Sequence, residues 1–282
     1  MKRLEHDAPR SGSVNVALPR ENLWTHWMDF VRTSVIIAEL EVRKLSHDPT
    51  DLLTRAVQPV LWLLIFGQVF TQIRAIPTGD LSYIEFMAPG ILAQSVLFIS
   101  IFYGIAVIWE RDLGILQKFL ASPAPRASLV LGKSLSAGVR ALSQAAIIYV
   151  VSALLGVKLN WNPLAIAGVI ILVFLGAGIF STFSLIIACL VKTRERFMGI
   201  GQVLTMPLFF ASNAIYPLTI MPPWLQVLAL LNPLTYLVDA LRSLMLAGDW
   251  EPAHVGLDAL VLSVVMCVMV WLGARMYPRV AI

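Results

Sequence analysis

Pro163-Leu-Ala-Ile-Ala-Gly-Val-Ile-Ile-Leu-Val-Phe-Leu-Gly-Ala-Gly-Ile-Phe-Ser-Thr-Phe-Ser-Leu-Ile-Ile-Ala-Cys-Leu190 carries no charged side chain from end to end. About 20 such residues in a helix cross the hydrocarbon core of a bilayer. A helix satisfies its own backbone donors and acceptors, so it can cross where no water is present. Five further apolar segments of similar length stand at about 54–73, 84–109, 137–157, 197–217 and 255–274. The third is the shortest and is expected to begin inside Ser134–Arg140, with Arg140 reaching toward the interface. The fold class expected is therefore an all-α membrane protein with six transmembrane helices. Composition agrees, with 58% hydrophobic and 13% charged residues and a mean hydropathy of +0.79. A soluble domain carries about 25% charged residues.

Residues 1–20 read as a disordered cytoplasmic tail, with four basic residues, Pro9 and Pro19, and no apolar core of a signal peptide. The first span then serves as the targeting signal. In 21–46, Trp24, Trp27, Val31, Val35, Ala38, Val42 and Leu45 recur every three or four residues. That spacing defines one helical face. The segment is expected to be an amphipathic helix lying in the membrane interface, tryptophans at headgroup level. A helix packed on a soluble partner is the alternative. The remainder, 47–282, reads as one transmembrane domain without an internal repeat.

Basic residues orient the chain. Lys and Arg number eight in 1–55, five in 110–140, three in 192–196 and two in 275–279, against Arg74, Lys158 and Arg242 elsewhere. Both termini are expected in the cytoplasm, which an even number of spans requires. A cell (inner or plasma) membrane location follows.

Several chemistries lack the residues they need. His6, His26, His47 and His254 are scattered, and no HExxH spacing appears. Cys189 and Cys267 fall inside apolar runs and read as free thiols. No GxSxG elbow is present. Ala127-Ser-Leu-Val-Leu-Gly-Lys-Ser134 imitates a phosphate-binding loop, but Ala127 replaces its first glycine and its middle is apolar. Gly176, Gly178, Gly199 and Gly201 fit helix packing better than nucleotide binding. Glu85 and Asp258 stand near the ends of their spans, so midplane carboxylates that couple ions are lacking. No metal, no cofactor and no nucleic acid partner is expected on this chain. A stand-alone secondary transporter, a membrane enzyme and an assembly factor remain as alternatives.

Two segments stand out. The loop after the second span reads Glu110-Arg111-Asp112-Leu113-Gly114-Ile-Leu116-Gln-Lys118-Phe119-Leu120-Ala-Ser122-Pro123-Ala-Pro-Arg126. Leu113, Leu116, Phe119 and Leu120 form a short apolar stripe that Ser122-Pro123 ends. A short helix between two spans can receive force from a soluble partner, and an ordinary interfacial loop fits its chemistry equally well. The stretch 218–250 is apolar yet broken by Pro222, Pro223 and Pro233 and by Asn232, Asp239 and Arg242. Leu225–Leu231 is far too short to cross, and Pro233 can open a new helix. Asp239 and Arg242 stand three apart and can pair on one face. The segment is expected to fold as a re-entrant helical hairpin. Pro222, Pro223, Trp224, Asn232, Pro233, Tyr236, Asp239 and Arg242 are the candidate outer gate, a static plug being the alternative.

The pattern Glu-Arg-Asp-x-Gly-x-Leu-x-Lys-x-Leu-x-Ser-Pro-x-x-Arg, followed by Gly132-Lys133, resembles the corresponding loop of ABC-2 type permeases, in the branch of daunorubicin-type drug exporters. Asn232-Pro-Leu-Thr-Tyr236, with Asp239 and Arg242, is similar to that family's segment before the last span. The likeness covers roughly 25–275. It implies a permease subunit, not itself an enzyme, that forms a homodimer through its first and fifth spans. It also implies two copies of a separate ATPase that carry the ATP and Mg2+. The helix in Glu110–Arg126 would then be the coupling helix. The expected function is ATP-driven efflux, including multidrug export, of an amphipathic or lipophilic drug, lipid or glycolipid.

Overall fold

A computed structural model of the 282-residue chain describes residues 49–73, 76–79, 81–113, 126–191, 193–248 and 252–276, together with Glu39. The tail at 1–20, the interfacial helix expected at 21–46 apart from Glu39, and Gly114 through Pro123 lie outside the described residues. Nine helices are described. α1 joins Pro49–Leu61, a π-helical stretch Trp62–Gly67 and Gln68–Ile73. The others are α2 Tyr83–Tyr103, α3 Ile105–Asp112, α4 Arg126–Leu154, α5 Pro163–Leu190, α6 Arg194–Phe210, α7 Pro223–Leu231, α8 Pro233–Met245 and α9 Pro252–Met276. Among the described residues there is no strand, only one isolated bridge between Leu159 and Leu246.

Local chemistry sets the helix starts. Ser82 accepts from the Glu85 amide while the Glu85 carboxylate accepts from Ser82, a complete capping box that opens α2. Asn162 caps α5, with Pro163 at its first position. Thr193 caps α6.

Helix α2 forms the middle of the bundle. Met87, Ile91, Leu92, Val96, Leu97 and Ile101 are each fully buried, against α4, α5 and α8. α9 covers α5 and α8 from outside and is largely exposed. Polar contacts tie α4 to α5, with Ser134 Oγ 3.1 Å from Thr182 Oγ1. Such bonds between helices supplement van der Waals packing where no water is expelled. Glycines admit close approach at the crossings. A Cβ on Gly90 would lie 2.2 Å from the Ala214 carbonyl oxygen.

Five of the helices are long and apolar enough to cross a membrane, and a bent pair, α7 with α8 at 80°, meets the same test together. Contacts fix the course of α6 and of that pair. α6 begins beside Asp112. Just beyond its end, Asn213 meets Arg242, which also stacks on Phe86 near the start of α2. α6 thus runs from one side of the bundle to the other, its 17 residues reaching about 26 Å. α8 lies beside α5 in opposite direction. Leu237 meets Gly176, and Leu244 meets Gly168, where a Cβ would come within 2.6 Å of a leucine methyl. α8 ends where Asn160 donates to the Met245 carbonyl at 2.8 Å, at the α4–α5 turn. The α7–α8 pair enters and leaves on one side, so it is a re-entrant hairpin.

Several boundaries differ from expectation. The second apolar segment, expected unbroken over 84–109, is interrupted at Gly104. The third starts at Arg126, ahead of the expected 137, because the polar Lys133 and Ser134 are accommodated within the helix. The fifth stops at Phe210 and not at 217. Ser212 Oγ donates to the Phe209 carbonyl at 2.7 Å there, turning the chain. The stretch resembling a phosphate loop, 127–134, is the opening of α4.

Candidate functional site

On the side of the bundle where α2 ends, α3 leads toward residues 114–125, which lie outside the described residues. Gly104 separates α3 from α2. Its amide donates to the Ile101 carbonyl at 3.1 Å, an oxygen that also accepts from Ser184 Oγ. A Cβ at Gly104 would sit 1.9 Å from Ser184 Oγ and 2.9 Å from Ser184 Cβ, so α2 and α5 touch here as closely as backbone allows. At the far end of α3, Arg194 Nη2 donates to Asp112 Oδ2 at 2.9 Å. The same guanidinium lies 3.7 Å from the Trp109 ring centroid. Arg194 thereby fastens the start of α6 to the end of α3, combining an ion pair with a cation–π contact. Leu113 is 67% exposed. Glu110, Arg111 and Arg126 are placed by their backbone alone.

On the opposite side lies the hairpin. Pro223 occupies the first position of α7 after Pro222, and Trp224 is 66% exposed. Val227, Leu230 and Leu231 of α7 are exposed as well. Asn232 makes the bend. Its Oδ1 accepts from the Leu234 amide at 3.0 Å, and its Nδ2 donates to the Leu208 and Ala211 carbonyls at 2.6 and 2.8 Å. One side chain thus caps α8 and anchors the bend to the end of α6. Pro233 opens α8, and Tyr236 Oη donates back to the Leu230 carbonyl at 2.8 Å. In α8, by contrast with α7, Leu234, Leu237, Val238, Ala240 and Leu241 are fully buried.

Arg242 joins three parts of the chain. Its Nη1 donates to Asp239 Oδ1 at 3.1 Å, the pairing expected from their spacing. Its Nη2 donates to the Asn213 carbonyl at 2.8 Å, and its guanidinium lies 3.9 Å from the Phe86 ring centroid. Asn213 Nδ2 donates in turn to Asp239. The described members of the two sets, Glu110–Leu113 and Arg126 on the one hand and the hairpin residues on the other, therefore stand on opposite sides of the bundle. Arg194, Asn213 and Phe86 were not predicted. The sequence marks Arg194 only as one of three basic residues at 192–196. Ser212-Asn213, two polar residues ending an apolar run, was the available signal for the second.

These contacts define a polytopic helical membrane protein with a re-entrant hairpin on one side and the Asp112–Arg194 junction of α3 with α6 on the other. The chain matches the profile of the ABC-2 type transporter over residues 35–246. It is 30% identical over 223 residues to ycf38 of Cyanophora paradoxa, named for a transport permease, covering 78% of this chain and 77% of that one. It is 29% identical over 207 residues to ycf38 of Porphyra purpurea, covering 72% and 70%. It is 26% identical over 235 residues to the daunorubicin resistance ABC transporter permease protein DrrB1 of Streptomyces coeruleorubidus, covering 82% and 81%. The chain belongs to the ABC-2 type transporter family, as a multi-pass membrane subunit of an ABC transporter.

Proposed function

We propose that this chain exports an amphipathic or lipophilic molecule, a drug, lipid or glycolipid, from the cytoplasm. Two copies form a homodimer, and two copies of a separate ATPase supply the energy. The 110–126 side faces the cytoplasm, with both termini, as the distribution of Lys and Arg requires. Glu110, Arg111, Asp112, Leu113, Gly114, Leu116, Lys118, Phe119, Leu120, Ser122, Pro123 and Arg126 make the coupling segment. Its stripe of Leu113, Leu116, Phe119 and Leu120 fills a groove on the ATPase while the charges set register. The observation that carries this reading is the Asp112–Arg194 pair. It links the root of that segment to α6, so a push delivered there reaches two membrane helices. On the other side, Pro222, Pro223, Trp224, Asn232, Pro233, Tyr236, Asp239 and Arg242 form the outer gate, with α7 as its moving lip. Exposed α7 supports that assignment, because a short helix with few buried side chains can shift at small cost.

The test is the double variant Leu116→Asp/Phe119→Asp, co-expressed with the ATPase. Membrane insertion is expected to persist while export and cargo-stimulated ATP hydrolysis are lost. Unchanged stimulation would remove the segment from the coupling role.

A further inference from the structure

A cavity of about 190 Å³ lies between α1, α2 and α4, apart from both sites above. Arg55, Gln58 and Pro59 of α1 and Gln94, Ser95 and Phe98 of α2 line it, with Gln144 of α4 behind. Gln94 stands eleven residues beyond Tyr83, the start of α2. That is about 16 Å along the axis, half of a hydrocarbon core of roughly 30 Å. Two buried amide side chains, Gln94 and Gln144, beside one cavity are not what packing selects. An amide buried in hydrocarbon without partners is costly. Gln94 is 4% exposed, yet its Oε1 accepts no hydrogen bond. Ser95 Oγ spends its proton on the Ile91 carbonyl at 2.9 Å, leaving lone pairs for the cavity. The walls thus present acceptors that want O–H or N–H donors.

The backbone of α1 is irregular here. Pro59 brings no amide to the ladder, and the π-helical stretch follows directly at Trp62–Gly67. Such irregularity at membrane depth is tolerated where it lines a cavity, and π turns concentrate at functional sites. The cavity shares Thr54 and Gln58 with a second space of about 420 Å³ along Val57, Leu61 and Ile65 of α1. A mainly apolar chamber with amide and hydroxyl groups in its wall therefore continues into an apolar groove.

The geometry points to a binding site for a single amphiphile, its hydroxyl-bearing, uncharged headgroup against Gln94 and its chain along Val57, Leu61 and Ile65. Hydroxyls both donate and accept, which matches amide walls. Arg55, which also lines the cavity, has a partner of its own and so does not call for an anion. Phe98 and Phe102, with ring centroids 6.3 Å apart, offer the apolar floor on which a sugar ring or the first methylenes would lie. The site rests on the export reading only in treating the amphiphile as cargo. A resident lipid with the same headgroup would occupy it equally.

The experiment uses the permease with its ATPase in phosphatidylcholine nanodiscs. The probe is decyl glucoside with a diazirine on its first tail carbons. The control carries the same tail on a trimethylammonium head. Adducts are expected at 54–65 and 94–102 with the glucoside, and at least about tenfold fewer with the control, the worth of one buried hydrogen bond. Gln94→Met is expected to lower glucoside labelling by a similar factor, whereas Gln94→Glu, which keeps an acceptor oxygen, retains it. Equal labelling by both heads, or labelling indifferent to Gln94→Met, overturns the site. If Gln94→Met fails to insert, head selectivity in the unaltered protein decides alone. With MgATP, loss of labelling marks cargo and persistence marks a resident lipid, and both keep the headgroup chemistry. Labelling in a complex that hydrolyses no ATP would retain the site and remove the export reading.

Discussion

Arg242 shows what spacing reveals and what it hides. It stands three positions after Asp239, so the ion pair is legible in the sequence. Its other partners, Asn213 and Phe86, are 29 and 156 residues away along the chain, where no local pattern points. Arg194 was hidden for the same reason, since its carboxylate lies 82 residues upstream. Arg242 is 16% exposed and Asp239 42%, and the guanidinium also holds the Asn213 carbonyl and the Phe86 ring, so its removal breaks the most contacts. Arg242→Met is expected to cost about 2–3 kcal/mol, toward the lower end for breaking a buried pair. Asp239→Asn should cost less, and the double variant should recover part of the loss of the arginine change. Thermal melting of the four proteins in one detergent measures this. Strictly additive losses would show that the two residues do not act as a pair.

At the scale of helices, long apolar runs announce themselves, and α5 was read at its observed limits. Ends and breaks are harder. Gly104 sits in an apolar run like any other helical glycine, and Ser184, which touches it, is far along the chain. The division of labour within the hairpin was legible but unread. Leu234, Leu237, Val238, Leu241 and Leu244 recur at three and four, the spacing of a buried face. α8 is accordingly held in the core, while α7 exposes Trp224, Val227 and Leu231. A gate that moves must therefore move at α7. A disulfide engineered between α7 and α1 is expected to stop export under oxidising conditions and restore it on reduction, with ATPase assembly unaffected throughout. Full export by the oxidised protein would make the hairpin a fixed cap.

For the whole molecule, the six apolar segments and the re-entrant stretch were legible because hydrocarbon imposes a length and excludes charge. Which faces meet another copy is not written in composition, since lipid and a partner helix accept the same side chains. Beside the groove of Val57, Leu61 and Ile65, α1 exposes Leu64 and Val69, and α6 exposes Ile200 and Val203. Single cysteines along 60–68 and 203–211 are expected to cross-link between copies in membranes. Cross-links confined to positions on α5 would place the homodimer contact elsewhere. The interruption at Gly104 bears on how such an assembly is driven. Gly104 keeps a right-handed helical backbone, with φ −60° and ψ −23°, so one tightened turn joins α2 to α3, and a load on Ile105–Asp112 would pass into α2 as along a single strut. A side chain placed at Gly104 would collide with Ser184 and wedge α2 and α5 apart.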